Sequence, residues 1–160
     1  MKFISVIEIG QLRGIFGDRY LDKKMDDFAM NRYILDNLSY RIKELSFPSK
    51  NRKEYLKNYA DMAFNDKKQL LGNRFSEYCR LCTLKAFDDG WVEEVDYLQQ
   101  LQAAISGRST AQRNLLYEYQ REARLSFRDM EKSIKKAMIR NILLGEVSFG
   151  KDNEMIILYP

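Results

Sequence analysis

Two cysteines three positions apart, Cys79 and Cys82, carry the most reactive side chains of this sequence. A Cys-x-x-Cys pair can supply half of a zinc site or act as a redox dithiol. A zinc site needs four ligands, and with no other cysteine and no histidine a second chain would have to complete it. Phe75, Tyr78 and Leu84 flank the pair on a predicted helix, which favours packing in a hydrophobic core. We therefore predict no metal and no cofactor.

Acidic residues are the remaining candidates for catalysis, because histidine is the commonest general base and is absent. Residues 88–96 hold five acids and no basic residue. Paired carboxylates can act as acid and base, but neighbours on a helix point about 100° apart and form no shared site. The sequence also lacks the glycine-rich phosphate loop and the serine nucleophile motif. We predict that the protein is not an enzyme and keep a carboxylate-dependent enzyme as a second alternative.

A row of basic residues follows one side of the last predicted helix. At 100° per residue they share an arc of roughly 100°, opposite the apolar side of the helix. Arginine presents planar donors that suit phosphates, so this basic stripe predicts a nucleic-acid-binding surface as the first alternative function. A solvated helix face or an acidic protein partner would also explain it. The stripe consists of Arg113, Arg121, Arg124, Arg128, Lys132 and Lys135.

Apolar residues of the first predicted helix recur in steps of seven, three, four and three. Such spacing is typical of the seam of a coiled coil, where two helices bury one apolar edge each. Helices this long often pair with a second chain, which predicts a homo-oligomer. The predicted partner interface consists of Phe28, Leu35, Leu38, Ile42 and Leu45.

The pattern of apolar residues, glycines and prolines predicts a mainly α fold, a bundle of about five helices with a small terminal β-sheet. One domain is expected for 160 residues, 45% of which are hydrophobic. Residues 1–10 predict a strand rich in β-branched side chains, and residues 146–159 a hairpin around a glycine-containing turn. The two chain ends would together form the sheet. The predicted helices cover residues 18–45, 49–71, 73–87, 91–105 and 110–144.

The function favoured by these features is a non-enzymatic binding, adaptor or regulatory protein that acts through self-association and contacts with a protein partner. The net charge of +4 is mild. No stretch approaches the roughly 20 apolar residues of a membrane span, and no targeting segment is visible. We therefore predict a cytoplasmic protein without a membrane partner. None of the motifs is specific enough to indicate a family.

Overall fold

The computed structural model describes residues 26–40, 47, 51–107 and 115–160. The predicted strand 1–10 lies outside the described residues, and so do Ile42 and Leu45 of the predicted interface and Arg113 of the basic stripe. The predicted third strand of the sheet therefore stays a prediction.

The described chain is mainly helical, as predicted, and it ends in the predicted hairpin, which forms a two-stranded antiparallel sheet. Among the residues that the structure describes, three helices reach 20 residues or more, so the prediction of about five helices was wrong. A 3₁₀ turn at Gly72–Arg74 separates α2 from α3. The elements are α1 Asp27–Asn37, α2 Arg52–Leu71, α3 Phe75–Ser106, α4 Leu115–Leu144, β1 Glu146–Phe149 and β2 Met155–Leu158.

Helix α1 is shorter than the predicted helix 18–45, because the described residues after Asn37 are not helical. The Asp26 carboxylate accepts a hydrogen bond from the Ala29 amide at 2.7 Å and so caps the amino end. At the other end, Leu38 and Ser39 both donate backbone hydrogen bonds to the Ile34 carbonyl, which closes the last turn. The cap of α1 therefore lies eight positions after residue 18, where the predicted helix begins.

Helix α3 is continuous over residues that were predicted to form two helices, 73–87 and 91–105, with a turn at residues 88–90. The predicted turn contains Asp88 and Asp89. Lys85 forms an ion pair with Asp89 one helical turn away at 2.7 Å, so Asp89 supports the helix. A Cβ atom on Gly90 would lie 2.5 Å from Cγ1 of Ile134. Gly90 therefore allows α3 to approach α4 closely, and it was wrongly interpreted as a turn residue.

The predicted helices 49–71 and 110–144 agree with α2 and with the described part of α4. Helix α2 ends at Gly72, whose φ of 52° lies in the left-handed region that glycine adopts without strain. At the end of α4, Gly145 follows the last helical residue, and β1 begins directly after it.

The chain divides into two compact units, Met1–Thr83 with Ile139–Pro160, and Leu84–Met138. The division falls within α3 and α4, and the single-domain organisation stays a prediction. In the first unit the core joins α1 and α2 to the end of α4, and edge-to-face contacts between Phe47 and Tyr55 and between Phe64 and Phe75 support it. Its buried cluster consists of Met30, Ile34, Leu38, Phe47, Leu56, Ala60, Ile139 and Leu143.

In the second unit, α3 and α4 contribute a smaller buried set. Ala86, Ile105 and Ile134 are buried there, together with the carboxylate of Glu94. Many large apolar side chains of this unit are exposed instead.

The contact of Gly90 with Ile134 generates a stability prediction. Alanine usually stabilises a helix by about 1 kcal/mol relative to glycine. At position 90 we expect the Gly90→Ala variant to lose about 1–3 kcal/mol instead, because the new methyl group overlaps a buried side chain. Urea denaturation followed by circular dichroism measures the change.

Gly107→Ala is the matched control, since the nearest atom to its Cβ would be 3.7 Å away. A Gly90→Ala protein as stable as Gly107→Ala would contradict the close packing of Gly90 on Ile134.

Candidate functional site

The most concentrated group of buried polar atoms surrounds the carboxyl end of α4. The last residues of a helix leave their carbonyl groups without partners in the helix, and residues 141–145 are all buried. The Tyr78 hydroxyl lies 2.9, 3.0 and 3.1 Å from the carbonyl oxygens of Asn141, Ile142 and Gly145. Its single proton can be shared among these three acceptors. The Lys67 ammonium donates to the Gly145 carbonyl at 2.6 Å.

The group also ties α4 back to α3 through an amide. The Asn141 side chain donates to the carbonyl of Cys82 at 3.3 Å, and both residues are buried. A Cβ atom on Gly145 would lie 2.5 Å from the Asn141 carbonyl oxygen and 2.7 Å from the Tyr78 hydroxyl. Only glycine therefore fits between the helix end and the tyrosine. We call Lys67, Tyr78, Asn141 and Gly145 the α4 terminus cluster.

The two cysteines lie beside this cluster, buried and without a disulfide bond. Burial raises the pKa of the Cys79 thiol from 9.0 to about 12, with a smaller contribution from Cys82. Burial also raises the pKa of Cys82, to about 11, although a hydrogen bond with Tyr78 and the charge of Lys67 lower it. Both groups are thiols at neutral pH, whereas a nucleophile or metal ligand must be a thiolate. Their geometry agrees with a packing role.

The acidic residues 88–96 do not converge on a common point. Asp89 pairs with Lys85, and Glu94 is buried and accepts a hydrogen bond from the Ser126 hydroxyl at 2.6 Å. The other Glu94 oxygen has no hydrogen-bond partner among the described residues. Within that part of the chain, no three cysteine or acidic side chains are grouped to hold a metal ion. The hydrogen bond from Ser126 to Glu94 joins α4 to α3.

The described members of the basic stripe lie on α4 with their side chains exposed. Arg121 is 3.7 Å from Glu122, and Lys132 is 3.0 Å from Asp129. These neighbours compensate two of the cations, so the stripe is less strongly basic than the sequence suggested. The described members are Arg121, Arg124, Arg128, Lys132 and Lys135.

The described residues of the predicted partner interface differ in burial: Leu38 is buried, and Phe28 and Leu35 are exposed. Leu38 is 1% exposed and belongs to the core of the first unit, with Met30 and Ile34. Phe28 and Leu35 point away from that core, with 77% and 37% of their surface exposed. Whether these two residues contact a partner stays a prediction.

An exposed apolar surface on α3 was missed by the sequence analysis. Leu84, Phe87 and Trp91 are 46%, 52% and 56% exposed, and their spacing of three and four places them within about 60° on one side of the helix. We call these three residues the α3 apolar stripe. A cluster of exposed large apolar side chains is typical of a protein interaction surface.

The cap at the end of α4 generates a prediction about Tyr78. We expect Tyr78→Phe to lower the free energy of unfolding by about 1–3 kcal/mol, because a buried carbonyl loses its donor while the packing of the ring is kept. Urea denaturation measures the change. Tyr97→Phe is the control, since Tyr97 is 42% exposed. Equal stability of the two variants would show that the hydroxyl does not satisfy the helix end.

The raised pKa values of the thiols generate a prediction for alkaline pH. In the unfolded chain the thiols ionise near pH 9, whereas in the folded chain their pKa values are about 12 and 11. A raised pKa contributes stability below pH 9 that is lost as the pH rises towards the folded values. We expect the free energy of unfolding to fall between pH 8 and pH 10.

Comparing the parent with a Cys79→Ala, Cys82→Ala variant isolates the thiols in this measurement. The variant should lose less stability than the parent between the two pH values, although its tyrosines, including Tyr33 with a pKa of about 12, still contribute. An identical pH dependence in both proteins would contradict the protonated state of the folded thiols.

Comparison with known proteins places these features in a family. Residues 11–146 match the SecA Wing and Scaffold domain. The Streptococcus agalactiae serotype V protein translocase subunit SecA 2 is 41% identical over 146 residues, covering 88% of this chain and 18% of the relative. The Streptococcus sanguinis SK36 subunit of that name is 35% identical over 137 residues, covering 81% and 17%. The Staphylococcus aureus Newman subunit is 33% identical over 146 residues, covering 87% and 18%.

These matches overturn the functions predicted from the sequence. The relatives are protein translocase subunits, so the predictions of a self-associating adaptor and of a nucleic-acid-binding protein were wrong. A carboxylate-dependent enzyme finds no support in them either. The chain spans less than a fifth of the length of these relatives. Since the matching region covers 136 of the 160 residues (11–146), this chain belongs to the SecA Wing and Scaffold domain family.

Proposed function

We propose that this chain forms the wing and scaffold part of a protein translocase subunit of the SecA 2 type. The α3 apolar stripe is the observation that carries the proposal, because it exposes three large apolar side chains with the spacing of a helix–helix contact. Relatives with the matching region are five to six times longer than the part they share with this chain, which supports an occupant within the same subunit. The rest of the subunit would cover the stripe.

In this role the chain provides a packed set of helices and an apolar surface that other parts of the subunit contact. The α4 terminus cluster holds the end of a 30-residue helix in place, and the contact of Gly90 with Ile134 brings α3 close to α4. The contact of Gly90 with Ile134 lies in the second unit, which also carries the α3 apolar stripe. We take the chain to carry no catalytic centre of its own, and the reaction that drives translocation then belongs to the remainder of the subunit.

We also propose that the protein is located in the cytoplasm. Within the described residues, every helix is too short or too polar to traverse a bilayer. The cytoplasmic location predicted from the sequence is kept as a proposal, with protein partners in translocation as the expected contacts.

A chimeric subunit tests the proposal. Residues 11–146 of this chain replace the matching residues of the Streptococcus agalactiae SecA 2 protein, and export is measured in cells that lack their own SecA 2. We expect the chimera to restore export. A chimera that accumulates as an intact, folded protein and restores none would overturn the proposal.

Charged substitutions test the role of the stripe in the same chimera. Phe87→Asp with Trp91→Asp should lower export by about tenfold or more, because placing charges where the rest of the subunit would cover two aromatic side chains costs about 2 kcal/mol or more. Met62→Asp with Leu70→Asp is the matched control, since these residues of α2 are 60% and 78% exposed. Export unaffected by the first pair, or lowered equally by both, would contradict an occupied stripe.

A further inference from the structure

Two contacts in the second unit fix which sides of α3 and α4 meet. A Cβ atom on Gly90 would lie 2.5 Å from Ile134 and 3.9 Å from Met130. One turn further along α3, the Glu94 carboxylate accepts a hydrogen bond from Ser126, which precedes both of those α4 residues. Positions advance along α3 while they retreat along α4, so the two helices are antiparallel. Gly90 marks the facing side of α3, and Ile134 with Met130 marks that of α4.

Both helices carry exposed aromatic side chains on the same flank of this contact. Successive residues turn by about 100°, so Trp91 lies about 100° from Gly90, and Phe127 lies about 40° from the facing side of α4 in the same sense of rotation. Antiparallel helices are related by a two-fold axis that points out of the groove between them, so offsets of the same sense lie on one flank. Phe127 is 46% exposed and extends the α3 apolar stripe onto α4. We call Phe87, Trp91 and Phe127 the aromatic flank.

Three cations of the basic stripe border the aromatic flank. Arg124, Arg128 and Lys135 lie about 100–140° from the facing side of α4, in the sense of rotation that leads past Phe127. All three are exposed, and none of them forms an ion pair with another residue that the structure describes. Of the acidic residues of α4, Glu131 alone lies on this flank. The α4 side of the flank therefore carries a surplus of positive charge.

An apolar surface bordered by cations on one side fits an amphipathic helix that is acidic along one edge. A helix that lies in a groove inserts apolar side chains spaced by three and four residues, and the aromatic flank offers large apolar groups on both walls. Charges at the rim of an interface suppress wrong partners and fix the register of the right one. The unpaired guanidinium groups of Arg124 and Arg128 suit carboxylates, which they can bind with two parallel hydrogen bonds.

We propose that a helix of the same translocase subunit, from outside this chain, lies between Trp91 and Phe127 and pairs its acidic residues with Arg124 and Arg128. This inference rests on the proposed function, because it takes the occupant from the rest of the subunit. That rest is large, since the chain spans less than a fifth of the length of its relatives. A helix tethered within one subunit has a high effective concentration at the flank, so it competes well against separate proteins.

A photoreactive side chain on the aromatic flank tests the occupant. p-Benzoylphenylalanine replaces Phe127 in the chimeric subunit, and mass spectrometry identifies the cross-linked peptide. We expect a cross-link within the subunit to a helix that lies outside the exchanged residues and carries aspartate or glutamate. Leu125 is the matched control position, since it is 45% exposed and lies about 160° away around α4, and it should not cross-link to that helix. No cross-link from position 127, or one to lipid, to a second subunit or to a segment without acidic residues, would overturn the proposal.

Charge reversal in the same subunit tests the basic rim. Arg124→Glu with Arg128→Glu should lower the yield of the cross-link from position 127 by about tenfold or more, because like charges then face each other. Arg121→Glu with Lys132→Glu is the matched control, since these cations already have acidic neighbours, and it should change the yield by about twofold at most. Circular dichroism shows that each variant is folded. Equal yields from the two variants would overturn the pairing of acidic residues with Arg124 and Arg128.

The cross-link can be measured whether or not the chimera restores export, so the two proposals fail separately. A folded chimera that forms the expected cross-link and restores no export contradicts the proposed function. A chimera that restores export without this cross-link contradicts the helix on the aromatic flank.

Discussion

The buried carboxyl end of α4 is the constraint on which the rest of the first unit depends. A helix that ends in solvent can leave its last carbonyl groups to water, but residues 141–145 have no such access. An unsatisfied buried carbonyl costs about 1–3 kcal/mol, and several lie together here. Tyr78 of α3 and Lys67 of α2 supply the donors. Three helices therefore meet at one point because the polar end of one of them must be satisfied there.

The hairpin depends on the same point. Gly145 is the last residue before β1, and only a residue without a side chain lets the strand leave between the helix end and Tyr78. Exposed ion pairs such as Arg32 with Asp36 contribute about 0–1 kcal/mol and leave the chain direction open. The buried donors therefore have the larger effect on where α4 stops and where the sheet starts. Arg74 then holds the turn of the hairpin from the start of α3.

Most helical segments and the hairpin could be predicted from the sequence, because apolar periodicity and turn residues are local signals. The errors concern positions where a local signal had two possible meanings. Gly90 was interpreted as a turn residue, although its lack of a side chain serves the packing against Ile134, 44 positions away. Leu38 was assigned to a coiled-coil seam, although α1 ends at Asn37 and the core takes Leu38 with Met30 and Ile34. Such distinctions depend on partners distant in the sequence.

The candidate site was harder to predict, because the side chains that stand out in the sequence are those that could perform chemistry. Cysteines and clustered carboxylates attract attention in a sequence, but burial keeps Cys79 and Cys82 protonated, and the carboxylates do not converge. The exposed Phe87 and Trp91 have an ordinary core pattern in the sequence and differ from core residues only in what covers them. Transferring an aromatic side chain from water is favourable by about 1.5–3 kcal/mol, more than an exposed ion pair contributes. Exposed aromatic residues on a rigid helix are therefore a stronger indication of contact with another protein segment than the cations of the basic stripe.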